Sequence, residues 1–200
     1  MMKRKGCTVW FTGMSGAGKS TCGNLVTEYL RTLRVPVELL DGDEIRTNIS
    51  SGLGFTRGDR DTNIRRIGYI CDLLTRNGVF VCVAAISPYR EVREEIRRRI
   101  GDFVLVHCYA PVEVLERRDI KGLYRKAREG KIPHFTGISD PYEEPLNPDV
   151  VVLSDGTESP EQSAVKVVVT LEDRGYLPRI SSNPISGFFL SAKARAQQIA

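Results

Sequence analysis

Five short runs of apolar and β-branched residues recur along the chain: Cys7-Thr8-Val9-Trp10-Phe11-Thr12, Val37-Glu38-Leu39-Leu40-Asp41, and the segments 79–86, 103–109 and 150–153. Most show no strict alternation of polar and apolar residues, which predicts strands of a parallel sheet covered on both faces. Between them the spacing changes to three and four residues. Leu25, Val26, Tyr29, Leu30 and Leu33 share one helical face, as do Ile64, Ile67, Ile70, Cys71 and Leu74, and 90–100, 112–118 and 161–171 predict further helices. Five strands alternating with helices predict an α/β three-layer sandwich around a parallel β-sheet, with 79–86 as a central strand. No internal repeat is visible. The pattern breaks at Ser181-Ser182-Asn183-Pro184, so 1–178 is expected to be one domain and 179–200 a tail of unassigned role, with a short amphipathic helix over 188–199.

Directly after the first strand comes Gly13-Met14-Ser15-Gly16-Ala17-Gly18-Lys19-Ser20-Thr21, which fits the spacing G-x-x-x-x-G-K-[ST]. Backbone N–H groups of a glycine-rich turn, together with the positive end of the helix that follows, stabilise polyphosphate charge without bulky side chains in the way. These nine residues are therefore expected to bind ATP. Lys19 would reach the outer phosphates, and the Ser20 hydroxyl would hold Mg²⁺. The bland alternative, a turn that binds nothing, agrees less well with a strand, a loop and a helix in this order.

In an open parallel sheet ligands bind beyond the carboxyl ends of the strands. Asp41-Gly42-Asp43 ends the second predicted strand and should face the same crevice. Either carboxylate can bind Mg²⁺ or take a proton from an attacking hydroxyl. The competing reading is an Asp-Gly turn in which Asp43 caps a helix beginning at Glu44. The strand 79–86 ends in Ser87-Pro88-Tyr89-Arg90 without the aspartate that often binds metal there, which shifts the metal role toward Asp41 or Asp43. Arg57, Arg60, Arg65 and Arg66 crowd the start of the helix near 59–74, and one or two of these forked guanidinium groups can clamp an anionic acceptor. Residues 119–137 are basic, aromatic and glycine-containing, the composition of a mobile lid over phosphates.

Composition changes this picture little. The chain is 41% hydrophobic and 27% charged, ordinary for a globular protein, and no apolar stretch approaches a membrane span. Met1-Met2-Lys3-Arg4-Lys5 leads into the first strand with no signal-peptide hydrophobic region, so a cytoplasmic location is expected. A net charge of +4 suits small anionic ligands. The densest basic run, Arg97-Arg98-Arg99 with Arg90 and Arg93, is interleaved with Glu91, Glu94 and Glu95 and reads as a solvated helix face, so no nucleic-acid or membrane partner is expected. Five cysteines without a C-x-x-C pair read as reduced core residues, and His107 and His134 belong to no metal cluster.

Several spaced motifs together resemble the adenylylsulfate kinase (APS kinase) family: the loop 13–21, Asp41-Gly42-Asp43-Glu44-Ile45-Arg46, Gly54-Phe55, Asp59-Arg60-Asp61-Thr62-Asn63-Ile64-Arg65-Arg66, Ile86-Ser87-Pro88-Tyr89-Arg90, Lys121-Gly122-Leu123-Tyr124 and Phe135-Thr136-Gly137-Ile138. The likeness runs from about 6 to 178. It implies a P-loop kinase that phosphorylates the 3′-hydroxyl of adenosine 5′-phosphosulfate (APS) with ATP and Mg²⁺, giving PAPS and ADP in sulfate assimilation. It also implies a homodimer and a possible association with ATP sulfurylase. Asp43, Arg46, Arg60, Asn63, Ile86, Ser87, Lys121 and Phe135 match positions that bind the adenylylsulfate in the family, with the Phe55 and Phe135 rings sandwiching its adenine. Lys19, Asp41 and Ser87 are the catalytic candidates, and Ser20 and Asp41 the metal ligands. Ser87 matches a serine described in the family as a phosphoserine intermediate, whereas in-line positioning and charge neutralisation favour direct transfer with Asp41 near the metal or the attacking hydroxyl. Glu44 stands where the family commonly has Asn, and Pro133-His134 where it has Lys-Gly. The rival readings are a P-loop kinase for another hydroxyl substrate, a GTP-dependent switch, disfavoured by the missing Asn-Lys-x-Asp motif, and an idle nucleotide-binding module.

Overall fold

The computed structural model describes residues 5–179 and 187–188. Five strands, β1 (Cys7–Thr12), β2 (Val37–Asp41), β3 (Phe80–Ala84), β4 (Phe103–Tyr109) and β5 (Val150–Leu153), form one sheet in the order β2-β3-β1-β4-β5. Every pairing is parallel, with Val9 opposite Cys82 on one side and Val104 on the other. The helices are α1 (Lys19–Thr32), α2 (Gly42–Asn48), α3 (Arg57–Thr75), α4 (Arg90–Ile100), α5 (Val112–Arg118), α6 (Leu123–Arg128) and α7 (Pro160–Asp173). None among the described residues is long and apolar enough to cross a membrane.

Successive side chains of a strand point to opposite faces, and here both faces are covered. Val9 and Phe11 of β1, with Val104 and Val106 of β4, pack with Val26, Leu30, Val167 and Leu171 of α1 and α7. Trp10, Val81, Val83 and Leu105 pack on the other face with Ile67, Cys71, Val92 and Ile96 of α3 and α4. Two-sided burial is the reason β1, β3 and β4 read as continuous apolar runs, while the edge strands β2 and β5 stay partly exposed. The middle position belongs to β1, and the run at 79–86 is interior, second from the edge. Length of the apolar run reports burial on both faces, and β3 has that without being the middle strand.

Two expectations change. Asp41, not Asp43, caps a helix that begins at Gly42, its carboxylate accepting from the Asp43 backbone N–H at 2.9 Å. The α4 arginines are not all a solvated face. Arg93 is 1% exposed and donates to the carbonyls of Ser87 and Glu143; Arg97 pairs with the buried carboxylate of Asp149 at 2.7 Å; Arg90 donates to the Glu144 carbonyl at 3.0 Å. Together they fasten the irregular segment 143–149 to the sheet. All five cysteines are free and buried, as expected. The helix expected over 188–199 lies outside the described residues apart from Phe188, whose ring meets Tyr29 edge to face with centroids 5.5 Å apart.

Helices α3 and α4 approach most closely at Gly68, where a Cβ would stand 2.7 Å from Ile96 Cγ1. Gly68→Ala is expected to destabilise the fold by about 1–3 kcal/mol through overpacking, despite alanine's better helix propensity. Gly58→Ala, in the same helix with nothing within 4 Å, is expected to be neutral or stabilising by up to about 1 kcal/mol; urea unfolding of both checks the contrast.

Candidate active site

A single cleft of about 590 Å³ lies beyond the carboxyl ends of β1, β2 and β3. Its floor is the loop between β1 and α1. Gly13 brings that loop against β4, where a side chain cannot fit, since a Cβ would fall 2.4 Å from the Cys108 carbonyl oxygen. Gly16 and Gly18 take left-handed conformations (φ 76° and 79°), turning the backbone into the first residues of α1. Ser15, Gly16, Gly18, Lys19, Ser20 and Thr21 line the cleft. The other three loop residues shape it from behind. Ala17 is buried, and the Met14 sulfur would lie 2.7 Å from a Cβ on Gly137.

Lys19 Nζ donates to the Met14 carbonyl at 2.7 Å, and the residue is 9% exposed. Desolvation lowers its pKa to about 8, against the raising influence of Cys108, Asp41 and Asp43. At the mouth of the loop the Ser20 hydroxyl donates to Asp41 Oδ2 at 2.6 Å. A hydroxyl and a carboxylate oxygen side by side are hard donors of the kind Mg²⁺ takes, so this pair fits that ion. No cluster of His, Cys, Asp and Glu that could hold another metal occurs among the described residues.

The second half of the cleft is built by α2, α3 and the loop joining them. Arg60, 7% exposed, donates from Nε to the Phe55 carbonyl at 2.9 Å and from Nη2 to the His134 carbonyl. Arg46 donates from Nη1 to the Gly54 carbonyl at 3.0 Å. Both guanidinium groups face the Phe55 ring, 4.4 Å from its centroid for Arg46 and 5.5 Å for Arg60. Burial lowers the pKa of each, and for Arg46 the Arg60 charge acts in the same direction. Asp43 and Asp59 act on Arg46 and Asp140 on Arg60 in the opposite sense, but neither arginine forms an ion pair among the described residues, so both remain available to an anion. Asn63 is 5% exposed and its Oδ1 has no partner among the described residues, an acceptor left open beside the arginines.

The remaining candidates come from the ends of β3 and the lid segment. Ile86 and Ser87 line the wall, but the Ser87 side chain is turned inward, its hydroxyl accepting from Trp10 Nε1 at 2.9 Å. Lys121 forms an ion pair with Asp43 across the mouth at 2.8 Å, and that contact raises the Lys121 pKa. Phe135 packs edge to face on Tyr124, with centroids 5.0 Å apart. Arg57, Arg65 and Arg66 are turned elsewhere: Arg57 faces Tyr89, Arg65 pairs with Glu95 at 2.8 Å and Arg66 donates to the Ile49 carbonyl.

Among the cleft residues given no individual role by the sequence are Tyr124, Arg118 and Thr136. The Tyr124 hydroxyl donates to the Ser15 carbonyl at 2.8 Å, tying α6 to the phosphate loop. Arg118 donates to the Ser154 carbonyl, beside Gly18. Thr136 is 2% exposed, with a hydroxyl that has no partner among the described residues. Tyr124 and Thr136 sit inside the quoted motifs, where their types carried a signal. Arg118 has none, because a charge at a helix end looks like any surface charge.

Residues 5–153 match the model of the family described as adenylylsulphate kinase. An adenylyl-sulfate kinase of Gloeothece citriformis is 57% identical over 176 residues, 88% of this chain and 99% of that protein. A probable bifunctional SAT/APS kinase 2 of Sorangium cellulosum is 55% identical over 87% of this chain but only 30% of its own length. Among solved structures, the Mycobacterium tuberculosis APS kinase in complex with AMPPNP and APS superposes with a TM-score of 0.79, at 43% identity over 84% of this chain and 98% of that one. With the phosphate loop, the paired acids and the arginine-lined half-cleft all in place, the chain belongs to the adenylylsulphate kinase family.

Proposed function

We propose that this protein transfers the terminal phosphoryl group of ATP to the 3′-hydroxyl of adenosine 5′-phosphosulfate, producing PAPS and ADP in sulfate activation. The observation that carries this reading is the union in one cleft of a phosphate loop and a second, separately built anion site of Arg46, Phe55, Arg60 and Asn63. A kinase for a neutral acceptor has no use for the second site. The family's complex with AMPPNP and APS supports the same two-substrate assignment.

The donor's phosphates lie on the backbone of residues 13–21, and Lys19 exchanges its Met14 carbonyl for phosphate oxygens. Ser20 and Asp41 would hold Mg²⁺, which would supply positive charge to offset that of the phosphates. Arg118, next to Gly18, flanks the nucleoside end. On the acceptor side, Arg46 and Arg60 take the phosphosulfate group, with Phe55 and Phe135 on either side of the adenine. Asn63 Oδ1 accepts a hydrogen bond from the substrate, and Ile86, Ser87 and Thr136 complete the wall. Asp43 and Lys121 meet at the cleft mouth, where Lys121 can follow the charge as it moves. Asp41 receives the hydroxyl proton. Its carboxylate is already oriented by the Asp43 N–H and the Ser20 hydroxyl. The engagement of Ser87 by the Trp10 indole supports direct transfer, because the Ser87 hydroxyl is turned into the protein and away from the donor. The catalytic unit is 1–178, acting as a cytoplasmic homodimer. The relative in which a matching region forms part of a bifunctional protein supports an association with a sulfurylase.

Two measurements test this. ADP release with ATP and Mg²⁺ is expected to depend on adenylylsulfate, and Arg60→Ala should lower kcat/KM for adenylylsulfate by about 100-fold, as expected for a lost charge-assisted contact of about 3 kcal/mol. ATP-dependent ADP release that ignores adenylylsulfate would overturn the assignment. The second concerns Lys19. With a folded pKa near 8 and an ordinary one in the unfolded chain, the unfolded state binds more protons between about pH 8 and 10.5, so this lysine makes the ligand-free fold more stable as pH rises through that window. Polyphosphate should reverse the shift. Calorimetric titration of ATP at pH 8 in buffers of different ionisation enthalpy is expected to show uptake of up to about half a proton, lost in Lys19→Met.

A further inference from the structure

The turn after β3 holds Ser87 at φ 48°, a left-handed conformation that strains a residue bearing a side chain. This turn forms the cleft wall beside Asn63 and the phosphate loop. Three groups pin it from behind. Trp10 Nε1 donates to the Ser87 hydroxyl at 2.9 Å, Arg93 Nη1 donates to the Ser87 carbonyl, and Thr12 Oγ1 donates to the Ile86 carbonyl at 2.7 Å. Neither Trp10 nor Arg93 lines the cleft, and each is 1% exposed.

We infer that Trp10 and Arg93 are positioning residues for the acceptor: they hold the Ile86-Ser87-Pro88 backbone in the shape that receives adenylylsulfate and lock it to the phosphate loop. The inference rests on the function proposed above.

Arg93 joins this turn to the segment 143–149 that it also fastens to the sheet. No carboxylate forms an ion pair with it among the described residues; its partners are the carbonyls of Ser87 and Glu143 and the face of the Tyr142 ring, 5.7 Å from its guanidinium carbon. A guanidinium taken out of water without a counter-ion is costly, and desolvation lowers its pKa accordingly. Two well-placed carbonyls offset that cost only if the chain at 87 and 143 keeps this shape. Tyr142 continues the connection, its hydroxyl 3.0 Å from Thr12 Oγ1. Trp10 and Thr12 stand just before Gly13. Donor floor and acceptor wall are therefore parts of one hydrogen-bonded unit, and a slip of the turn would misplace the acceptor hydroxyl relative to the phosphate. In-line transfer is sensitive to such slips at the ångström scale. The Ser87 hydroxyl thus acts as an anchor for its own backbone.

Trp10→Phe removes the N–H donor and keeps most of the ring packing, and it is the variant least exposed to a folding failure. It is expected to raise KM for adenylylsulfate about 5- to 20-fold with KM for ATP changed less than twofold. Ser87→Ala should behave alike, and the double variant should be no worse than the more affected single one, because both lose the same contact. Arg93→Lys should retain part of the acceptor affinity that Arg93→Met loses. Trp10 is the sole tryptophan, so its emission supplies a second readout: adenylylsulfate should shift it in the wild type, and Ser87→Ala should blunt the shift. Equal increases in both KM values, additive effects of the two single substitutions, or unchanged constants with an active wild type would each overturn the positioning role and leave the function standing. A wild type that does not turn over adenylylsulfate would overturn both.

Discussion

An ammonium group held almost out of water is the constraint on which the cleft depends. Lys19 is placed by the first turn of α1, directly after a loop that leaves β1, the middle strand of the sheet. Its own loop supplies a carbonyl partner, and burial has already lowered its affinity for a proton. Such a group is poorly stabilised by the protein alone and strongly stabilised by a multivalent anion. The rest of the donor half keeps it in place: β1 buried on both faces, Gly13 pressed against β4, and Tyr124 bonded to Ser15.

The acceptor half obeys the same logic with a different geometry. Arg46 and Arg60 both face the Phe55 ring and donate to backbone carbonyls, and neither forms an ion pair with a carboxylate among the described residues. Carboxylate partners would neutralise the field before a substrate arrived, while carbonyls orient the guanidinium groups and leave their charge available. The one ion pair across the cleft among the described residues, Lys121 with Asp43, lies at its exposed mouth, where water weakens it and a ligand can replace it.

Arginine also shows how one residue type divides between roles that spacing cannot distinguish. On α4, Arg93 is a core residue, Arg97 closes on a buried carboxylate, and Arg65 on α3 makes an exposed pair with Glu95. In the sequence the α4 arginines belong to a run of mixed charge that resembles a solvated helix face, and Arg65 to a cluster of arginines at a helix start. Their difference lies in segment 143–149, which passes over α4 and offers carbonyls and Asp149 to the groups beneath it. No local pattern announces a loop that supplies partners 50 residues away.

The sequence by itself determined the strands, the burial of the inner three, the longer helices between them and the location of the phosphate loop, because these follow from side-chain periodicity and from the few residue types that permit a tight turn next to phosphate. It also identified most of the cleft, since Asp41, Asp43, Arg60 and Asn63 sit on local motifs at strand and helix ends. Only the tertiary structure decided which strand is central, which arginines are buried, that the Ser87 hydroxyl faces Trp10, and that Arg118 and Thr136 belong to the cleft. Those outcomes depend on hydrogen bonds and desolvation between segments distant in the chain, and such contacts leave no periodic trace in the sequence.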